Sequence, residues 1–240
     1  MIVLKLGGSV ITDKDRPETL DAPALDRAAD AVAGASDDLV VVHGGGSFGH
    51  HHAAAWGVSV DSGTDDVEGA LAVHGAMTTL NRVVLARLHD RGVSALPVHS
   101  LSVGARNTDG VLDLPLAAVD RMLAESFVPV LHGDVAATAG EGVTVVSGDE
   151  LVARLARHLD ADRVGLCSTV PGVLDGENRV VDRVSSLDDA ALGESASTDV
   201  TGGMAGKVRT LLELDAPAHI FDLDGLPAFL VGETPGTVVD

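Results

Sequence analysis

One cysteine, Cys167, among 240 residues excludes an internal disulfide and any metal site built from several thiolates. A long uninterrupted apolar run is also missing. The longest stretch free of Asp, Glu, Lys and Arg, Leu39 to Val60, holds four His and five Gly, which a bilayer-spanning helix does not tolerate. The chain opens Met1-Ile2-Val3-Leu4-Lys5-Leu6 with no basic segment leading into a cleavable apolar one, so no secretory leader is expected. With 45% hydrophobic residues it can bury a sizeable core, which excludes disorder as the main description. The expectation is a soluble cytoplasmic protein.

Positive charge is scarce as well. Thirty-six acidic residues against sixteen basic ones give a formal charge of −20, a surface that repels nucleic acid and anionic membrane. The excess is spread along the chain and rests on Asp far more than on Glu. That pattern fits a protein kept soluble in concentrated salt, where the Debye length shrinks to about 3 Å at 1 M. Salt adaptation is an expectation about habitat and not about activity. Within the basic residues lysine is rarer still, with thirteen Arg and only Lys5, Lys14 and Lys207. A composition that has almost discarded lysine keeps it where a compact ammonium differs from a planar guanidinium fork, which makes all three site candidates beside the plain alternative of chance survival.

What is present is an alternation of apolar runs and helical stretches. Strands are expected at Ile2–Leu6, Leu39–His43, Ala95–His99, Phe127–His132, Arg163–Ser168, Ala218–Asp222, Ala228–Val231 and Thr237–Val239. Helices are expected at Ala24–Ala35, Val67–Arg91, Pro115 to about Glu125, Asp149–Leu159 and Gly203–Leu214. Hairpins are expected around Gly104–Leu114 and Ala136–Val146. Strands alternating with helices throughout predict an α/β chain, a three-layer α/β/α sandwich with a mainly parallel central sheet, as one domain over residues 1–240. A soft division near Val145 to Gly148 separates an N-terminal lobe, about 1–146, from a C-terminal one, about 147–240.

Three glycine-rich segments sit where backbone N–H groups can face an anion: Lys5-Leu6-Gly7-Gly8-Ser9, His43-Gly44-Gly45-Gly46-Ser47-Phe48-Gly49-His50, and Thr201-Gly202-Gly203-Met204-Ala205-Gly206-Lys207. None fits the P-loop pattern, because Val208 follows Lys207, and none has the dinucleotide fingerprint. Each alone reads equally as a tight turn. Together, two of them carrying a scarce lysine, they read as a site for two phosphate groups with cations between them, an inventory that suits phosphoryl transfer. His50, His51 and His52 form a run that reads as a metal site or, for His50 alone, as a capping or surface residue; adjacent helical residues point to different faces, which disfavours the metal. Phe48, Trp56 and Met77 are candidates for an apolar pocket wall or for plain core. Cys167 reads as a buried strand residue.

These segments, with Lys14, Gly133-Asp134-Val135, Ser147-Gly148-Asp149 and Asp199-Val200 ahead of the third glycine segment, make the whole chain resemble the amino acid kinase superfamily. The Gly-Gly-Gly-Ser-Phe-Gly-His loop narrows the resemblance to the isopentenyl phosphate kinase branch. The resemblance implies ATP-dependent phosphorylation of isopentenyl phosphate in isoprenoid biosynthesis, with ATP and Mg²⁺. It assigns Lys5 and Lys14 to the transferring phosphoryl group, Lys207 to the ATP phosphates and Asp149 to orienting the lysines. Gly7, Gly8, Ser9, Gly46, Gly202 and Gly203 fall to ATP, and Gly45, Gly49, His50 and Gly133 to the acceptor phosphate; no protein-held metal is implied. Relatives commonly carry two acids near the nucleotide base, where Cys167-Ser168-Thr169-Val170-Pro171-Gly172-Val173 has none, so adenine and ribose contacts stay unassigned. A homodimer through the long helix after Val67 is a further implication. Two rivals stay open: a sister kinase acting on another small phosphate or phosphonate monoester, and a nucleotide-binding module without turnover.

Overall fold

The computed structural model describes residues 1–35, 38–187 and 203–240. Strand β1 (Ile2–Leu6) is followed by the short α1 (Gly8–Ile11) and by α2 (Ala22–Ala33), and β2 (Leu39–His43) by α3 (Gly46–Ala55) and α4 (Val67–His89). Next come β3 (Ala95–Val98), α5 (Ser100–Val103), the paired β4 (Ala105–Arg106) and β5 (Leu112–Asp113), α6 (Ala117–Ala124) and β6 (Val128–His132). The hairpin β7 (Asp134–Thr138) and β8 (Gly142–Val146) precedes α7 (Gly148–His158) and β9 (Arg163–Ser168). The described chain closes with β10 (Arg183–Val184), α8 (Gly203–Leu212), β11 (Ala218–Asp222), α9 (Leu226–Leu230) and β12 (Thr237–Val239).

Eight strands form one sheet in the order β10-β12-β11-β9-β1-β2-β6-β3. Neighbours run parallel except β11 with β12. Four more, β5-β4-β7-β8, make a small sheet of their own. Side-chain alternation divides the central strands between two cores. Ile2, Leu4 and Leu6 pack with Leu25 of α2, Leu80 of α4 and Phe229 of α9, whereas Val3, Val40 and Val42 pack with Leu151, Val152 and Leu155 of α7. Helices therefore cover both faces, the three-layer sandwich expected. The chain moves outward from β1 to β2 and later returns on β1's other side with β9, so the carboxyl ends of these three strands frame the crevice where open α/β sheets bind ligands.

The expected strand at Ala228–Val231 is instead helical, within α9. A four-residue apolar run is ambiguous by period, and here Leu226, Phe229 and Leu230 take helical spacing after Gly225, with Pro227 in the first turn. Helix α2 begins two residues early because the Asp21 carboxylate accepts the Ala24 N–H, and α3 begins inside the second glycine segment. Among the described residues no helix is long and apolar enough to cross a membrane.

Candidate active site

The alternation that sends Leu4 and Leu6 toward α4 turns Lys5, between them, toward α7. There its ammonium meets Asp149 at 2.7 Å, with both side chains largely buried. Ser147 caps α7 by accepting the Glu150 N–H at 3.1 Å, which fixes the first turn that carries Asp149. Gly148 leaves the room this pair needs, since a Cβ there would lie 3.1 Å from Lys5 Cε. Glu150 accepts both terminal nitrogens of the buried Arg106, at 2.8 and 2.9 Å, and so ties the same turn to the small sheet.

The first two glycine segments cross in direct backbone contact. A Cβ on Gly8 would lie 2.1 Å from Gly46 N, and one on Gly44 would lie 2.6 Å from Gly8 N. No side chain fits either position. Gly46, at φ +49°, turns the chain from β2 into α3. Thr12 locks the crossing by donating its hydroxyl to Gly8 O at 2.8 Å and accepting the Ser47 N–H at 3.0 Å. Helices α1 and α3 thus start side by side. Among the described residues the N–H groups of Gly8, Ser9, Gly45 and Gly46 donate to no protein acceptor. Two helix N-termini with free N–H groups and a buried lysine make an environment for anions.

A cavity of about 420 Å³ opens over this crossing. Lys5, Gly7, Gly8, Ser9, Gly45, Gly49, His50, Gly133, Asp149 and Lys207 all line it, so one space gathers most of the residues singled out in the sequence. Its apolar wall includes Val58, Val73, Met77 and Val145. Gly46 stands behind the lining, packed on Gly8 and Thr12. Lys14 is exposed on the segment after α1 and is not part of the wall. Gly203 heads α8, and Gly202 lies outside the described residues, as does the Asp199-Val200-Thr201 stretch. Phe48 belongs to the core rather than the wall, and Trp56 is 39% exposed with its ring against Gly69. Met77 lines the cavity, its sulfur so near Gly49 that a Cβ there would sit 2.7 Å away.

Asp134, in the Gly133-Asp134 motif singled out in the sequence but given no role there, lines the wall, as do Ser168 and Thr169, which the sequence left unassigned. Burial pushes the Cys167 thiol up to about 12, so it serves structure, its carbonyl accepting the Gly7 N–H at 2.9 Å. A second cavity of about 640 Å³ runs along α7 and shares Ser147, Asp149 and Lys207 with the first. Its arginines are already engaged, Arg154 with the Leu112 and Leu114 carbonyls and Arg157 with Glu213. Among the described residues no group of three His, Cys, Asp or Glu is placed to hold a metal ion.

Residues 1–221 match the model of the amino acid kinase family. The chain is 63% identical over 243 residues to the isopentenyl phosphate kinase of Haloferax volcanii, covering 100% of this chain and 98% of that one. It is 34% identical over 230 residues to the isopentenyl phosphate kinase of Methanothermobacter thermautotrophicus, covering 89% and 86%. Among solved structures, an X-ray structure of isopentenyl phosphate kinase superposes with a TM-score of 0.86 at 30% identity, and the Thermoplasma acidophilum isopentenyl phosphate kinase product complex with 0.81 at 26%, each over 100% of both chains. On a family match that spans nearly the whole chain and relatives similar from end to end, this chain belongs to the amino acid kinase family.

Proposed function

We propose that this chain transfers the γ-phosphoryl group of ATP to isopentenyl phosphate, yielding isopentenyl diphosphate and ADP, a step of isoprenoid biosynthesis. The observation that carries the reading is a single cavity joining the Lys5–Asp149 pair, the unengaged glycine N–H groups and His50 to a wall of valines and Met77. The polar part suits two phosphates and the apolar wall suits a short branched alkenyl tail.

The acceptor is a phosphate monoester with a second pKa near 6, so at neutral pH it is largely a dianion and already a nucleophile. One of its oxygens attacks the γ-phosphorus in line, the bond to the β–γ bridging oxygen breaks, and that oxygen departs with ADP carrying the electron pair. No proton has to be removed. Catalysis is then positioning and charge stabilisation. Lys5, held by Asp149, sits between the two anions. Lys14, outside the wall on the exposed segment after α1, is assigned to the transferring group by the family resemblance alone. Lys207 with Gly8, Ser9, Gly46, Gly202 and Gly203 holds ATP, while Gly45 and His50 hold the acceptor phosphate; Gly7, Gly49 and Gly133, whose N–H groups go to the Cys167, Gly45 and His43 carbonyls, let the backbone approach the phosphates without contacting them through N–H. Mg²⁺, brought with ATP, would supply further positive charge to offset that of the phosphates beside Lys5 and Lys207.

A homodimer along the outer stripe of α4 belongs to the same proposal, supported by Val67 and Leu71, which are 65% and 56% exposed one helical turn apart. So does a cytoplasmic setting. The deciding assay is ADP release with isopentenyl phosphate, an unbranched alkyl phosphate, a sugar phosphate and glutamate as acceptors. Isopentenyl phosphate should give the highest kcat/KM and glutamate none. Turnover on the carboxylate without turnover on any phosphate monoester would overturn the assignment.

A further inference from the structure

Beneath the glycine crossing lies a chain of histidines that the transfer step does not use. His43 ends β2 and His132 ends β6, at register partners of two parallel strands, and both are fully buried. Their rings stack, 5.4 Å between centroids and 28° between planes. Each stands next to the carbonyl of the glycine that follows it: His43 Nδ1 is 3.2 Å from Gly44 O, and His132 Nδ1 is 2.8 Å from Gly133 O. A carbonyl only accepts, so both rings carry their proton on Nδ1.

The rest of the chain follows from that proton. His132 Nε2 is left bare and accepts from His99 Nδ1 at 2.8 Å. His74 of α4 meets His99 edge-on at 5.9 Å and donates to both oxygens of the buried Asp134, at 2.9 and 3.0 Å. His43 Nε2 lies 3.1 Å from Asn81 Oδ1, and with the proton on Nδ1 that contact is a hydrogen bond once the Asn81 amide is turned end for end, so that its NH₂ donates to the bare nitrogen. A doubly protonated His43 is opposed by burial, which lowers its pKa to about 4 and does the same to His132. The rings therefore stay neutral near pH 7, each with one N–H committed to a glycine carbonyl.

Gly44, Gly45 and Gly133 line the cavity. In a trans peptide the C=O and the following N–H point in opposite directions, so turning the Gly44 carbonyl onto the His43 ring turns the Gly45 N–H away from it, where it has no protein acceptor among the described residues. Gly133 N–H is spent on His43 O at 3.1 Å, which joins the two strand ends into one unit. We infer that His43 and His132 are positioning residues for the acceptor phosphate: as neutral Nδ1–H tautomers they hold the Gly44 and Gly133 carbonyls and thereby aim the Gly45 N–H into the cavity. The inference rests on the acceptor reading proposed above. An apolar side chain at either position would leave a buried carbonyl unsatisfied and free the peptide to rotate.

The test has two arms. Long-range ¹H–¹⁵N correlation on the ¹⁵N-histidine-labelled protein at pH 7 reads the tautomer with no substrate present, so it stands or falls independently of the acceptor assignment. His43 and His132 should both appear as Nδ1–H; an Nε2–H tautomer or an imidazolium at either would overturn the proposal. The second arm measures both KM values in His43→Leu and His43→Asn. The Asn amide places an N–H where His Nδ1 stood. His43→Leu should raise the acceptor KM at least about tenfold with less than about a threefold change for ATP, and His43→Asn should recover most of the loss. Equal rises in both KM values, or Leu and Asn variants that behave alike, would reduce these rings to fold elements. If His43→Leu does not fold, the tautomer arm and the Asn variant still decide: an acceptor KM in His43→Asn as high as that of His50→Ala would contradict the proposal.

Discussion

Seven of the ten histidines stand in two groups of opposite character. His50, His51 and His52 occupy one turn of α3 at the surface, where His52 pairs with Glu18 at 2.9 Å and His51 lies edge-on to His52. Of these, His50 lines the cavity. The other four, the buried His43 and His132 and the half-buried His74 and His99, run under the same cavity, linked to Asn81, to Asp134 and to each other. A side chain that meets a ligand has to stay accessible and adaptable. One that positions the backbone has to be neutral, fixed in tautomer and fully hydrogen-bonded. On the roles proposed above, the same residue type does both jobs within one site, and burial decides which.

The largest effect belongs to neither group and sets the scale for both. Lys5 carries the buried charge, so Lys5→Ala should lower kcat on the order of 10²–10³, as loss of a transition-state contact does. Lys5→Arg should also be damaging, because a planar guanidinium fork does not replace the compact ammonium that Asp149 holds at 2.7 Å. Steady-state rates with both substrates saturating check this, and wild-type turnover in Lys5→Arg would remove the reasoning from lysine scarcity.

Acid sharpens the comparison next. His43 and His132 titrate near 4 in the folded chain and near 6.5 when unfolded, chiefly because burial disfavours the imidazolium. The unfolded state then binds more protons between those values. Their contribution to stability is complete above about pH 6.5 and is lost as pH falls toward 4, at up to about 1.4 kcal/mol per pH unit for each ring. His219 of β11, packed on Phe229 and also lowered to about 4 by burial, adds to the same trend. Urea midpoints at pH 7, 6 and 5 should decline, and less steeply in His43→Asn. A profile flat over that range would break the distinction between the groups.

The smallest effects should come from the outer histidines that face away from the cavity. His51→Ala and His52→Ala should leave both KM values within about twofold. The exposed His52–Glu18 pair should contribute under about 1 kcal/mol, read from the urea midpoint. An acceptor KM raised equally by substitution of His50, His51 or His52 would make the run a structural unit.

Features built from local spacing were legible in the sequence: β1 and β2, the glycine segments at their ends, Lys5, and the histidine run behind Gly49. Each needs only neighbours a few residues apart. The buried chain was not, because its members come from positions 43, 74, 81, 99 and 132 and meet only once β2, β6, β3 and α4 are packed. Nothing in His43 or His132 alone separates them from ordinary strand-end residues. The Lys5–Asp149 contact spans 144 positions and was reached through family resemblance, while its geometric cause, the alternation that turns Lys5 to the α7 face, emerged only with the helices in place. Misreading Ala228–Val231 as a strand has the opposite origin, a run too short for its period to speak.

The central claim is that His50 touches the acceptor phosphate while the interior chain only aims the backbone toward it. Measuring both KM values in His50→Ala and His50→Gln tests this most directly. Removing a charge-assisted bond should raise the acceptor KM by about one to two orders of magnitude with little change for ATP, and Gln, which keeps a donor of similar reach, should recover part of it. An unaltered acceptor KM in His50→Ala would contradict the account.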